Sequence, residues 1–134
     1  MQSLWKENLD WDQPLSAHFS TAWTEYLKDL TPFTGKQIPR CISIQNSIHF
    51  QLHGFSDTSK KAYAGVVYLR SVSSTGHINV ALIAAKDKVA PVHQISLPRL
   101  ELLGALLLAD IMEVVVRALP ITADIYGWTD STIV

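Results

Sequence analysis

A single cysteine, Cys41, among 134 residues excludes a disulfide framework and a thiolate metal cluster. With no partner and no catalytic signature around it, Cys41 is read as inert. The chain also lacks an excess of charge: 11 Lys and Arg against 12 Asp and Glu leave a formal net charge of −1. Strong, unspecific nucleic-acid binding through a global basic field is thereby excluded, and any such role has to rest on a local site. No continuous apolar run follows a basic start in MQSLWKENLD, so no secretory signal is expected. The most apolar stretch, Leu100 to Leu119, is interrupted by Glu101, Asp110, Glu113 and Arg117. That is too charged for a membrane span and suits a core helix. Repeats and low-complexity segments are absent as well. The single cysteine fits a reducing compartment, and an intracellular, cytoplasmic setting is expected.

What remains is 48% hydrophobic and 17% charged, the balance of a globular chain long enough for one hydrophobic core. Residues 1–45 read as a helical connecting arm and residues 46–134 as the domain proper. In the arm, Leu15, Phe19, Ala22, Trp23, Tyr26 and Leu27 recur at helical spacing until TPFTG stops them. Trp5 and Trp11 fall in an irregular stretch before that helix, and KQIPRCISIQNS is a polar connector. From Ile48 the period changes to two: Ile48, Phe50 and Leu52 alternate with His49, Gln51 and His53. AYAGVVYLR (62–70) and INVALIAAK (78–86) are the next strands, joined by the turn SVSSTGH. KDKVAPVHQIS reads as a loop, LPRLELLGALLLADIMEVVVRAL as one long helix, ADIYGWTD as a fourth strand, and STIV as the start of another helix. The expectation is an α/β domain with three antiparallel strands, a helix and a fourth strand.

Two of those strands end alike. LHGFSDTS delivers Asp57 and IYGWTDST delivers Asp130, each after aromatic residues and before small hydroxyl residues. Asp and Ser are common in turns, but a partly buried carboxylate is costly unless it binds something. A third acid opens the long helix. Ala105, Leu108 and Met112 lie within about 40° of Glu101 on the helical wheel, whereas Asp110, Glu113 and Arg117 lie roughly 120–180° away. Glu101 is therefore expected to face inward, in a first turn begun by Pro98 and capped by Ser96. Strand ends and a packed helix start can share one sheet edge, and three carboxylates gathered there need a cation. Such hard oxygen ligands suit Mg²⁺ or Mn²⁺, and a pair of these ions supports phosphodiester hydrolysis.

GFSDTSKKAYAGVVYLRS, VAPVHQISLPRLELLGALLLA and YGWTDSTIV resemble the ribonuclease H region of BEL/Pao-type LTR retrotransposon polyproteins. LDWDQPL and IPRCI resemble the segment that leads into that region from the reverse transcriptase. The resemblance covers nearly the whole chain, with the motifs in the family's order. It implies a ribonuclease H-like mixed sheet, C-terminally truncated here, behind an N-terminal helical arm. It further implies metal-dependent hydrolysis of the RNA strand of RNA–DNA hybrids, with Asp57, Glu101 and Asp130 as catalytic residues and ligands of two Mg²⁺ or Mn²⁺ ions. Asp57 would contact both ions, with Glu101 and Asp130 on the one nearer the leaving group. The family's fourth acid, on a later helix, has no match before Val134, so activity is expected to be impaired in this piece. The implied partners are the hybrid and the upstream reverse transcriptase segment, with no membrane.

Lys60, Lys61 and Arg99 are the candidates for the hybrid's phosphates, alongside Lys86 and Lys88, although a lysine on a loop is more simply a solvated charge. His49 and His53 share a strand face that reads as wet surface, and Tyr63 and Trp128 read as core. Besides an integrase-like nuclease, which shares the broad fold, two other functions stay open. SDTS and TDST superficially resemble the paired loops of an aspartic peptidase, but neither has the glycine after the hydroxyl residue. The chain also fits a non-catalytic nucleic-acid-binding remnant.

Overall fold

The computed structural model describes residues 4, 9–43, 45–91, 93 and 95–131. They form two compact units, residues 1–37 and 38–134. In the first, helix α1 (Ala17–Leu30) runs into a short 3₁₀ turn (Thr31–Phe33) in which proline follows the helix end. Lys28 lies in the last turn of α1, where a cation complements the carbonyl end of the helix. Trp23 and Tyr26 stack with ring centroids 5.6 Å apart, yet no residue of α1 is buried. A helix of this length without a packed face is marginal in water. Amide hydrogen exchange should therefore show weak protection across α1 and strong protection across residues 48–86. Equal protection of the two would contradict this reading. Trp5 and the segment after Ser131 lie outside the described residues.

The second unit is a four-stranded sheet in the order β3-β2-β1-β4. Strands β1 (Ser47–Thr58), β2 (Ala62–Ser73) and β3 (Ile78–Val89) form the expected antiparallel meander. The β1–β2 turn is closed by Ser59, whose N–H donates to the Ala62 carbonyl at 2.8 Å and whose Oγ accepts from the Ala62 N–H. Gly76 turns β2 into β3 at φ +81°, a conformation glycine adopts without steric cost. The chain then forms helix α2 (Leu97–Ala118) and returns as β4 (Asp124–Thr129), parallel to β1. A parallel neighbour requires a crossover, and α2 supplies it. Among the described residues, no helix is long and apolar enough to cross a membrane.

Alternation along the strands decides which side chains meet α2. Leu52 and Gly54 of β1 and Gly65, Val67 and Leu69 of β2 are buried beneath Leu100, Leu107, Leu108, Ile111, Met112 and Val115 of the helix. Gly54 and Gly65 let the helix lie close: a Cβ at Gly54 would fall 2.6 Å from Met112 Sδ, and one at Gly65 3.3 Å from Leu108 Cα. Part of the connector belongs to this unit. Ile42 packs against the core, and its carbonyl accepts from Asn79 Nδ2 at 3.3 Å.

Three local expectations are corrected. Asp87–Val89 continue the strand rather than opening a loop, because Tyr63 pairs with Lys88 and Ala62 with Val89 at the end of β3. Its polar residues reflect an exposed edge strand, not a break in the sheet. Ser96 stands at the N-cap of α2, but its side chain makes no capping bond. Trp128 is 52% exposed rather than core, whereas Tyr63 is buried as expected. Trp128 lies on the sheet face opposite α2, and all six residues of β4 are exposed.

Ser71 is fully buried, and among the described residues its Oγ has no hydrogen-bond partner. An unsatisfied buried hydroxyl costs roughly 1–3 kcal/mol. Ser71→Ala should raise stability by about 1 kcal/mol in urea denaturation. A loss of stability would show instead that the hydroxyl is satisfied.

Candidate active site

Strands β1 and β4 run in the same direction, so both deliver their C-terminal ends to one edge of the sheet, where ligands of open α/β sheets commonly bind. The last registered pair is Ser56 with Thr129. Asp57 and Asp130 occupy the next position on each chain. Ser56 is buried toward α2, so Asp57 emerges on the opposite face with His53 and Phe55. Both aspartates are exposed, and the desolvation cost expected from the sequence does not apply to them. Asp57 Oδ1 accepts the N–H of Thr58 at 2.7 Å.

Glu101 approaches the same end from the helix. Because α2 begins at Leu97, Glu101 opens the second turn and not the first, and the helix dipole acts on it less than expected. It is half-buried, about 60° from the centre of the buried stripe. Its Oε2 accepts a hydrogen bond from Ser131 Oγ at 2.7 Å, which ties the helix start to the residue after Asp130. One turn further on, a Cβ at Gly104 would collide with Thr58 Oγ1, so the helix also passes close to the end of β1. The fold thus gathers the three acids at one end of the sheet. Their carboxylates are not assembled into a ligand cluster: among the described residues no three His, Cys, Asp or Glu side chains are placed to hold a metal ion.

Lys60 and Lys61 lie in the turn that follows β1, after Thr58 and Ser59, and Arg99 lies in the first turn of α2, all three exposed. Ser131 escaped the sequence reading, although the hydroxyl after the acid in TDST was its only signal. Asp87 was missed with the end of β3. It pairs with Ala64, which pairs with Asp57, and both acids border a shallow hollow of about 260 Å³ floored by Phe55, Ala64 and Val66.

Behind the acids lies an exposed aromatic patch. His53 stacks on Tyr126 at 5.0 Å and Phe55 on Trp128 at 6.5 Å, and the Trp128 indole N–H donates to His53 Nδ1 at 3.4 Å. The two histidines, read as wet surface, are thus engaged with β4, His49 by a 3.5 Å contact with Asp124 Oδ2.

The family model of the Pao retrotransposon-like RNaseH-like domain matches residues 1–131. The chain belongs to that family. Comparisons with curated proteins and with solved structures found no match. In this Pao RNase H-like domain the mixed sheet, with three antiparallel strands and a fourth parallel to the first, is consistent with an RNase H-like α/β fold.

Proposed function

We propose that this domain hydrolyses the RNA strand of RNA–DNA hybrids with a divalent cation, using Asp57, Glu101 and Asp130. The reading is supported by a pair of links at one sheet end: the parallel register that closes at Ser56 and Thr129, one residue before Asp57 and Asp130, and the hydrogen bond from Ser131 to Glu101. The donors fit Mg²⁺ or Mn²⁺ in chemistry, being hard carboxylate oxygens. When bound, the cation supplies Lewis-acid stabilisation of the phosphodiester and a nucleophilic water at neutral pH. The chain's own residues have to prepare for that. Asp57 gives up its bond to the Thr58 amide, and Glu101 turns about the Ser131 contact. Lys60, Lys61 and Arg99 flank the acids and neutralise the hybrid's phosphates, each as a local contact and not as part of a basic field.

The exposed apolar side of α1, with Trp23, Tyr26 and Leu27, meets the reverse transcriptase segment of the same polyprotein, in the cytoplasm. The test is a cleavage assay on an RNA–DNA hybrid in Mg²⁺, run on the chain alone and on the chain joined to a segment carrying the family's fourth acid. Slow or absent cleavage by the first and robust cleavage by the second is expected. Hydrolysis of peptides, or hybrid binding without cleavage in both, would favour the peptidase or the non-catalytic reading instead.

A further inference from the structure

The outer edge of β3 has no neighbouring strand among the described residues. Beside it, between β3 and α2, runs a groove of about 250 Å³. Ala84, Leu107 and Ile111 make its floor, and Val114, 67% exposed, forms the helix-side lip. Lys86 and Lys88 line it from β3, on the same strand face as Ala84. Asp110 is the one acid among the lining residues, which leaves the groove with a positive balance.

We propose that this groove takes an extended acidic peptide, which adds to the edge of β3 as a fifth strand. The edge supplies unpaired backbone N–H and C=O groups, and alternate side chains of an added strand point toward α2. The position opposite Ala84 then meets an apolar floor, and the two that follow meet ammonium groups. An apolar residue and two acids, at every second position, match that surface. The same lysines disfavour another copy of β3 lying alongside in register, because like charges face each other. Nucleic acid, whose phosphates suit the lysines, has no groups to continue the sheet. The inference rests on none of the three carboxylates and is independent of the hydrolysis proposed above.

The test uses the ¹⁵N-labelled 134-residue chain and the probe acetyl-Val-Thr-Glu-Thr-Glu-Thr-amide, with a counterpart carrying Lys in place of Glu. The acidic peptide is expected to shift the amide resonances of residues 82–89 and slow their hydrogen exchange, and to bind at least about tenfold more tightly than the lysine peptide. Both lysines are exposed, so the double variant Lys86→Glu, Lys88→Glu should fold normally and reverse the preference. Equal binding of the two peptides, an unchanged preference in the double variant, or no shift at millimolar peptide would overturn the proposal. So would shifts confined to β4 or to the Phe55–Trp128 face, or a single-stranded oligonucleotide that titrates the β3 amides where the peptide does not.

Discussion

Asp57→Asn should abolish Mg²⁺-dependent cleavage of an RNA–DNA hybrid in the protein that carries the fourth acid, while leaving the fold intact. Asp57 is exposed, and its only described bond is to the adjacent Thr58 amide, which the amide oxygen of Asn can still accept. Stability should therefore change little. The cation is a different matter, because a neutral amide replaces a charged oxygen donor. Loss of several kcal/mol of Lewis-acid stabilisation corresponds to roughly a thousandfold or more in rate. The control is Asp110→Asn, on the exposed side of α2, which should leave the rate unchanged. Cleavage that survived Asp57→Asn would show that another group holds the cation.

The largest effect on stability is expected from Gly65→Val. Gly65 is buried on β2, and a Cβ there meets Ile111 Cδ1 at 3.0 Å and Leu108 Cα at 3.3 Å. The first neighbour can rotate away, but the second is helix backbone and moves only if α2 lifts off the sheet. Overpacking of this kind costs roughly 2–3 kcal/mol, a large share of the 5–15 kcal/mol typical of a folded domain. The same substitution at Gly127 provides the comparison. Nothing lies within 4 Å of a Cβ at that position on β4, and valine favours strands. Urea denaturation should show Gly65→Val strongly destabilised and Gly127→Val unchanged or slightly stabilised. If both were equally benign, the close approach of α2 to the sheet would be wrong.

Much of this fold was legible because burial imposes periodicity. Strands β1 and β2 alternate between the α2 side and the open side, and α2 is one long apolar run, so each announced itself in the sequence. Legibility failed where burial does not act. The end of β3 is an edge whose side chains Lys86, Asp87 and Lys88 are exposed, and polarity there resembles a loop. Trp128 looks like a core residue by type, but among the described residues no element packs on its face. For the candidate site, strand endings and a helix wheel pointed Asp57, Glu101 and Asp130 toward one end of the sheet. The sequence did not show that Ser131 engages Glu101, since a hydrogen bond between residues thirty positions apart has no local pattern. Nor did it show that the aspartates are exposed, or that among the described residues the carboxylates form no ligand cluster. That depends on rotamers, which periodicity does not encode.

The central claim, that Asp57, Glu101 and Asp130 act as one cation site, is tested most directly by titrating the ¹⁵N-labelled chain with Mn²⁺, whose unpaired electrons broaden nearby amide resonances. The account predicts simultaneous broadening at residues 57–58, 101 and 130–131, lost from all three segments in Asp57→Asn. Broadening centred on other surface acids, such as Asp110, Glu113 or Asp124, with residues 57, 101 and 130 unaffected, would contradict it.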